Sequence, residues 1–315
     1  MRPLIIIRHI PSINFMGLHK LGFVLSGLMT VASIVAFLML GLNYGIDFSG
    51  GTLIEVRTTG PADLAGMRGT LNGLGLGEVS LQGFGGPSDV LIRVARQPGD
   101  DKAQAEAVEK VKAALGSGIE YRRTEVVGPK VGSELIRAGV IATVLALFAI
   151  AAYVWLRFEW QFGVGAMLST VHDTVTTIGL FSLLQIEFNL TTLAAILTIA
   201  GYSVNDTVVI YDRVRETMRK YKTMDFRALI NKSLNETLSR TILTVSTTAL
   251  AVLSLLLFGG EVLRGFSIAM LWGIVVGTYS SLFIAAPLLY YIRPRRSSSS
   301  AKAAEDAPAE TQGAS

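Results

Sequence analysis

Charged side chains fall inside stretches of sequence that are otherwise apolar enough to cross a lipid bilayer. Asp206 lies within Leu197–Tyr211, Asp173 follows His172 in another apolar run, and Arg240 begins a third. An Asp at the centre of a spanning helix costs roughly 2.5–3.5 kcal/mol on insertion scales, so it needs a partner, a proton or a water-filled path. The chemistry that these residue types suggest is the binding and release of protons within a membrane.

The composition indicates what must position these residues. Half of the 315 residues are apolar and 17% are charged, and the mean hydropathy is +0.49, which is typical of a polytopic α-helical membrane protein. Apolar runs near the roughly 20 residues that a bilayer requires predict six transmembrane helices. These are Leu21–Leu42, Leu135–Leu156, Phe162–Leu184, Leu190–Tyr211, Leu238–Phe258 and Gly265–Ile292. We interpret the first as an uncleaved anchor, because it is longer than the apolar region of a signal peptide and no Ala-x-Ala-like site follows.

Lys and Arg cluster on one side of these spans. They precede the first span and follow the second, fourth and sixth, whereas the two short turns on the opposite side contain only Arg264. The positive-inside bias then places both termini in the cytoplasm. Residues 1–20 are expected to be a cytoplasmic leader, and residues 293–315 a disordered cytoplasmic tail. The net charge of +4 follows from this asymmetry, and no basic run resembles a nucleic-acid readout motif, so we expect no nucleic-acid partner.

The large hydrophilic segment, residues 43–134, falls between the first span and the five-helix region of residues 135–292, and is predicted to lie outside the cytoplasm. Its periodicity predicts two helices and four strands in the order βαββαβ, which is typical of a ferredoxin-like α+β domain. The elements are Thr52–Thr58, Ala62–Leu74, Glu78–Phe84, Asp89–Ala95, Asp101–Leu115 and Ile119–Val127. Because the chain has no cysteine, the domain is expected to be stabilised by packing alone.

Metal and catalytic sites are poorly supported by the sequence. The chain has three histidines, and His9 and His19 have no acidic or cysteine neighbours at ligand spacing. His172 directly precedes Asp173, and adjacent helix positions do not face each other, so we expect no contact between them and no Ser-His-Asp site. The expectation is a protein that is not an enzyme, with no metal, no cofactor, and protons as the coupling ion.

Asp206 and Arg240 both fall in the cytoplasmic halves of antiparallel neighbouring helices, so we expect the two side chains to approach each other. The alternatives to a movable pair are a static ion pair that fixes helix register and an Arg240 that snorkels to the interface. Ser203 is expected to share a helix face with Asp206. Asp173 also has a structural alternative, in which it is satisfied locally by Thr170, Thr174 and Thr177.

Five separate segments resemble one family. They are GIDFSGGT at Gly45–Thr52, VGPKVG at Val127–Gly132, VHD at Val171–Asp173, GYSVNDTVVIYDRVRE at Gly201–Glu216 and LNETLSRT at Leu234–Thr241. In residues, order and topology they resemble the SecF family, the six-span subunits of the SecDF protein-export complex within the resistance-nodulation-division superfamily. The resemblance covers roughly Gly17 to Arg293, and its most specific segment is Gly201–Glu216.

The resemblance implies an accessory subunit of the Sec translocase. Such a subunit pairs with SecD, associates with the SecYEG channel, and uses the proton motive force to promote translocation of polypeptides across the bacterial cytoplasmic membrane. Asp206 then corresponds to the family's intramembrane Asp and Arg240 to its Arg, with Asp173, His172 and Asn205 as less central supports of the proton path. Half of a proton-driven solute exporter of the same superfamily, and a non-transporting membrane scaffold, remain as alternatives.

Three further features concern how the chain is joined and paired. The residues that flank the soluble domain are interpreted either as a hinge or as tight exits from the bilayer: Gly45, Asp47, Gly50, Gly51, Gly128, Pro129 and Gly132. Gly273 and Gly277 are expected to let a helix of a SecD-like partner approach closely. The apolar side of Asp225–Leu238 predicts a helix lying on the membrane surface.

Overall fold

The computed structural model describes residues 12–294, apart from residues 78, 85, 100 and 117. Its elements follow in the order α1 (Phe15–Leu40), α2 (Ile46–Ser49), β1 (Gly51–Thr58), α3 (Leu64–Asn72), β2 (Val79–Gly83), β3 (Asp89–Val94), α4 (Asp101–Leu115), β4 (Ile119–Val127), α5 (Pro129–Arg157), α6 (Trp160–Leu184), α7 (Leu190–Lys220), α8 (Phe226–Phe258), α9 (Gly260–Ser280), a π-helical turn (Ser281–Ala285) and α10 (Ala286–Ile292). Most of the predicted leader and nearly all of the predicted tail lie outside the described residues.

The residues that the structure describes form a bundle of six helical rods. Helices α1, α5, α6, α7 and α8 are five of them, and α9, the π-helical turn and α10 continue one another as the sixth. Within the described part of the chain, five rods are long and apolar enough to cross a bilayer, and α6 is the rod outside that set. Polar residues in the middle of α6 lower its hydropathy, yet α6 packs against α1, α5, α7 and α9. It therefore has the position of a spanning helix inside the bundle.

The start of α1 is fixed by side chains of α8. Helix α1 begins at Phe15, inside the predicted leader, and Asn14 caps it by accepting a hydrogen bond from the N–H of Gly17. Asn235 Oδ1 accepts from the N–H of Ile13 at 2.9 Å, and Asn231 Oδ1 accepts from the N–H of Met16 at 3.1 Å. The last residues of the predicted leader are thus part of the bundle.

The soluble segment folds as predicted into a four-stranded antiparallel sheet covered by α3 and α4. The strand order is β2-β3-β1-β4, and every neighbouring pair is antiparallel, which is the arrangement of the ferredoxin-like split motif. Ile54 and Val56 of β1 alternate toward one face and pack with Leu71 of α3 and Val111 of α4. We call residues 51–127 the sheet domain. Its predicted element order is confirmed, and its boundaries differ from the prediction by at most one residue except at α3, where each end differs by two.

The predicted surface helix is wrong. Residues 226–258 form one continuous helix, and Leu229, Ile230 and Leu234 are fully buried within it. They pack in the core cluster that also contains Phe15 and Val214. The apolar side that suggested contact with lipid is instead a helix–helix interface, because α8 extends about three turns beyond its spanning part and packs against the ends of α1 and α7.

The predicted partner face at Gly273 and Gly277 is also wrong. A Cβ added to Gly273 would lie closer than 3 Å to three side-chain atoms of Ile199, and one added to Gly277 would meet Ser203. Both glycines therefore face α7 inside the bundle. They let α7 and α9 approach closely, which is the usual role of small residues between membrane helices.

Candidate functional site

Asp173, in the middle of α6, is fully buried and joins three helices. Its Oδ2 accepts hydrogen bonds from Ser203 Oγ of α7 at 2.6 Å and from Ser280 Oγ of α9 at 2.9 Å. Its Oδ1 lies 3.0 Å from Nδ1 of His172, which donates to it when the carboxyl is ionised. The other ring nitrogen of His172, Nε2, is buried and has no hydrogen-bond partner among the described residues.

This cluster corrects three expectations. His172 and Asp173 do contact each other, because the imidazole and carboxylate reach round the roughly 100° that separates adjacent positions on a helix. Thr177 donates to the main-chain oxygen of Asp173 rather than to its carboxylate, and Thr170 and Thr174 also donate to backbone carbonyls of α6. Ser203 faces Asp173, not Asp206. The two serines bond to the carboxylate and not to the imidazole, so the cluster lacks the Ser-to-His contact of a Ser-His-Asp nucleophile.

Two further polar contacts lie along α7, beyond the one between Ser203 and Asp173. Thr207 Oγ1 lies 2.7 Å from Ser281 Oγ, and the hydroxyl of Tyr211 donates to the carbonyl of Ala285 at 3.2 Å. Ser281 and Ala285 both lie in the π-helical turn, whose wider register leaves the carbonyl of Ala285 available to a neighbouring helix. Ser203, Thr207 and Tyr211 thus place polar contacts along α7 at intervals of four residues.

Asp206 of α7 faces α8 rather than α6. Its Oδ1 accepts a hydrogen bond from Thr241 Oγ1 at 2.8 Å. Its Oδ2 is buried and has no hydrogen-bond partner in the described part of the protein. A buried carboxylate oxygen without a donor is destabilising. The ionised form of this carboxyl is consequently supported by fewer hydrogen bonds than that of Asp173, and binding a proton removes its charge.

Arg240 precedes Thr241 on α8 and is exposed. No ion pair between Arg240 and Asp206 falls within 4.0 Å in the described residues, so the static ion pair is not what the structure contains. Arg240 is the neighbour in sequence of Thr241, whose hydroxyl donates to Asp206. Asn205 is exposed as well. Both polar side chains thus reach the outer surface of the bundle at the level of Asp206.

A charged network ties α7 to α8 on the basic side of the bundle. Glu236 accepts from Arg213 Nε at 2.6 Å and lies 3.0 Å from Lys232 Nζ. Arg213 also contacts Glu216 one turn along α7 at 2.5 Å. Asp206 and Thr241 lie just beyond this network toward the bilayer. The network fixes the spacing of α7 and α8 at this end. Movement of α7 relative to α8 is therefore confined to the parts of the helices on the bilayer side of the network, where Asp206 lies.

The glycine-rich segment after α1 is docked on the bundle. Gly45 N–H donates to the carbonyl of Phe188 at 2.9 Å, and Asp47 Oδ2 accepts from the N–H of Leu190, the first residue of α7, at 2.9 Å. A carboxylate at this position also interacts favourably with the positive end of the helix dipole. Asp47 therefore caps α7, a role that the sequence did not reveal.

Gly50, Gly51 and Gly132 have a steric reason to be glycine. The φ angles of Gly50 and Gly51 are 73° and 133°, a region that other residues rarely adopt. A Cβ on Gly132 of α5 would lie 2.6 Å from the carbonyl oxygen of Phe48 in α2. Gly128 and Pro129 mark the start of α5. These residues form a tightly packed junction between the bundle and the sheet domain, and the hinge and bilayer-exit interpretations both stay predictions.

The sheet domain has its own link to the bundle. Arg93 of β3 forms an ion pair with Glu187 in the loop between α6 and α7. Burial lowers the pKa of Arg93 from its ordinary value, and attraction to Asp47 opposes that effect. The domain is thereby held at the same end of the bundle as the α6–α7 loop.

No group of three or more His, Asp or Glu side chains within the described ranges comes together at a spacing suited to a metal ion. What the bundle does contain is two carboxyl groups near α7, Asp173 bonded to α7 and α9 and Asp206 bonded to α8. One is surrounded by donors, and the other is only half satisfied. The first suits a structural tether and the second suits reversible protonation.

Comparison with known proteins identifies the family. The family model "Protein export membrane protein SecD/SecF, C-terminal" matches residues 107–295, and the "SecD/SecF GG Motif" matches residues 35–62. The protein translocase subunit SecF of Rickettsia rickettsii is 48% identical over 283 residues, covering 88% of this chain and 90% of the relative. The chain belongs to the SecF family of protein translocase subunits. The SecF of Cereibacter sphaeroides is 46% identical over 290 residues, covering 89% of this chain and 90% of the relative.

Solved structures agree with membership of the SecF family. The crystal structure of SecDF from Thermus thermophilus, described as a translocon-associated membrane protein, matches with a TM-score of 0.78 at 36% identity, covering 90% of this chain and 39% of the SecDF chain. SecDF in a super-membrane-facing form matches with a TM-score of 0.68 at 36% identity, covering 94% of this chain and 40% of the SecDF chain. This chain therefore spans about two fifths of the SecDF chains it matches.

Sequence reasoning found Asp206, Arg240, Asp173 and His172 but not the residues that complete their surroundings. Thr241 and Ser280 are ordinary hydroxyl residues in apolar helices, where most such side chains bond to their own helix backbone. A signal for Thr241 was available, because it follows Arg240 in the family-like segment. Ser280 carried no comparable signal, since its contact with Asp173 depends on how the sixth rod packs.

Proposed function

We propose that this SecF-family subunit works with a SecD partner and couples the transmembrane proton gradient to polypeptide translocation, with Asp206 as the residue that binds the proton. The observation that carries the proposal is the half-satisfied carboxyl of Asp206, with one oxygen on Thr241 and the other buried without a donor. Protons are the only coupling ion in this scheme, and no enzymatic reaction is part of it.

Protonation and deprotonation of Asp206 favour different helix arrangements. The ionised carboxylate is favoured by approach of Arg240 and additional donors, whereas the neutral acid is favoured by apolar packing. A change in protonation therefore shifts the equilibrium between two positions of α7 relative to α8. Moving one proton through about 100 mV supplies roughly 2.3 kcal/mol, which is enough to bias a local rearrangement but not to drive a large one alone.

The SecD partner is proposed to cover the outer side of α7. The exposed positions there are Ala194, Thr198, Gly201 and Asn205, which are three or four residues apart and so share one face. Small residues permit close helix approach, and an Asn facing lipid is unfavourable unless another chain pairs with it. This face replaces the Gly273 and Gly277 face that the sequence suggested, and it lies beside Asp206.

The proposed location is the bacterial cytoplasmic membrane, with both termini cytoplasmic. Support comes from the separation of charge along the bundle. Arg157, Arg213 and Arg227 lie at the end opposite the sheet domain, in agreement with the positive-inside bias. The sheet domain is then outside the cytoplasm, where it meets polypeptides emerging from the SecYEG channel and relays movement of the bundle to them.

Translocation in proteoliposomes that contain the SecD partner and the SecYEG channel tests the proposal. Completion of translocation is followed with and without a proton gradient for wild type, Asp206→Asn and Asp212→Asn. Asp212 is a suitable control because it is on the same helix but exposed near its basic end. We expect the stimulation by the gradient to disappear only in Asp206→Asn. Full stimulation in Asp206→Asn, with the complex assembled, would contradict the proposal and leave the scaffold interpretation.

A further inference from the structure

An apolar groove opens between α1 and α5. Both helices pack on α6, and the space between them has a volume of about 390 Å³. Its walls include Ile34 and Phe37 of α1 and Val140 and Val144 of α5, and its floor includes Val175 and Ile178 of α6. Volumes of this size fall within the range of sites that hold an organic ligand.

The groove faces hydrocarbon rather than water. The two helices that form its walls are both long and apolar enough to span a bilayer, and the rim residues Phe37 and Val140 are exposed on its outer side. The hydroxyl of Thr143, which also lines the groove, already donates to the carbonyl of Gly139 at 2.9 Å. A space with so few available polar groups does not retain water, so the occupant must itself be apolar.

A cationic side chain lies at the edge of this groove. Arg137 of α5 is exposed and forms no ion pair within the described ranges. It precedes Val144 by seven residues, which is nearly two helical turns, so the two side chains project in almost the same direction about 10 Å apart. Helical side chains also tilt toward the helix start. Arg137 is therefore directed along the groove rim toward the end of the bundle that carries the sheet domain.

The same end of the groove is closed by aromatic side chains. Tyr44, Phe48 and Phe188 line it there and contact one another, with Phe48 and Phe188 stacked at a centroid distance of 5.8 Å. An occupant must therefore enter from the side, through the gap between α1 and α5. A hydrocarbon chain inside the groove and an anion beside Arg137 on its rim satisfy both features at once.

We propose that this groove binds one acyl chain of an anionic phospholipid, whose phosphate group pairs with Arg137. The lipid belongs to the leaflet at the sheet-domain end of the bundle. Because the acyl chain comes from bilayer hydrocarbon and not from water, it is held by van der Waals packing against the groove walls. The guanidinium favours an anionic headgroup, because a zwitterionic headgroup carries a cation of its own beside the phosphate. The lipid would fill the space between α1 and α5, which are not otherwise packed against each other.

Photocrosslinking in proteoliposomes of the full chain tests this site. The probes are phosphatidylglycerol and phosphatidylcholine that carry a diazirine on one acyl chain, each at the same mole fraction, and the adducts are mapped by mass spectrometry. Val140→Trp fills the groove. Leu145→Trp is the matched control, because Leu145 is on the same helix and 62% exposed against 60% for Val140, but does not line the groove. Arg137→Gln removes the cation without changing the apolar walls.

We expect adducts of phosphatidylglycerol to concentrate on groove residues in wild type and Leu145→Trp, and to fall several-fold in Val140→Trp. Arg137→Gln is expected to reduce phosphatidylglycerol adducts to the level of phosphatidylcholine. Adducts spread evenly over the groove and the exposed apolar face of α8, with no effect of Val140→Trp, would overturn the proposal in favour of ordinary surrounding lipid. Loss of groove adducts when the SecD partner is added would also overturn it, since a protein helix would then be the occupant.

Discussion

The packing of α9 on α7 makes a quantitative prediction about two glycines. Gly273→Ala places a methyl group closer than 3 Å to three side-chain atoms of Ile199, a residue that is itself buried. Gly201→Ala places the same methyl group where no atom lies within 4 Å. Both substitutions gain the higher helix propensity of Ala, about 1 kcal/mol. The difference between the two variants therefore isolates the packing conflict.

That conflict has an expected magnitude. Ile199 is β-branched, so its χ1 is restricted and it has little freedom to move aside. Inserting a methyl group into a well-packed site of this kind costs about 1–3 kcal/mol. The isolated chain with Gly273→Ala should therefore unfold with a free energy about 1–3 kcal/mol lower than the chain with Gly201→Ala. The assay is reversible unfolding of each purified variant in mixed micelles of increasing SDS fraction, followed by far-UV circular dichroism.

A double variant makes the assignment specific. Ile199→Ala alone is destabilising because it leaves a cavity, but in combination with Gly273→Ala it provides the space that the new methyl group needs. The two effects should be less than additive, whereas Ile199→Ala and Gly201→Ala should be additive. Equal stability of Gly273→Ala and Gly201→Ala would refute the proposed packing of α9 on α7, and would restore Gly273 as a candidate for the partner face.

Three other predictions follow from the contacts described above. Asp173→Asn should lower the free energy of SDS-induced unfolding by about 1–3 kcal/mol, because the amide brings donors toward His172 and the two serines that already donate; unchanged stability would show that the cluster is not a tether. Arg93→Ala should accelerate hydrogen exchange at Glu187–Leu190 by releasing the ion pair with Glu187, while Arg96→Ala, an exposed control, should not, and equal rates in both would reject this link. The hydrogen bond from Arg57 lowers the pKa of Asp89 below 3.8, so the pair stabilises the sheet domain above that pH and the contribution is lost as pH falls through the lower folded value. The pH dependence of unfolding between about pH 6 and about pH 2 should therefore flatten in Asp89→Asn, and an unchanged slope would count against the pair.

Much of the fold was predictable because its periodicities are long and local. The order of strands and helices in the sheet domain was predicted from the alternation of apolar residues such as Ile54 and Val56. The six helical rods were predicted from long apolar runs. The prediction was wrong where one helix continued beyond its apolar part. Residues Leu229, Ile230 and Leu234 have an apolar side that fits lipid or protein equally well, and only the positions of α1 and α7 decide between them.

The candidate site was predictable to the level of residue type but not of partnership. A charge in an apolar helix marks Asp206 and Asp173 from sequence alone. Which of the two carboxylates receives the larger number of hydrogen bonds depends on residues distant in the chain. Ser280, for example, donates to Asp173 from a position more than a hundred residues away. Gly273 and Gly277 illustrate the same limit, because a small residue indicates a close approach without indicating which helix approaches.

Proton movement through the reconstituted complex is the most direct test of the central claim that Asp206 binds the coupling proton. Proteoliposomes containing the chain and its SecD partner are given a potassium diffusion potential with valinomycin, and internal pH is recorded with an entrapped dye. We expect potential-driven proton flux in wild type and in Asp212→Asn, and flux at the level of protein-free liposomes in Asp206→Asn. Wild-type flux in Asp206→Asn would contradict the claim.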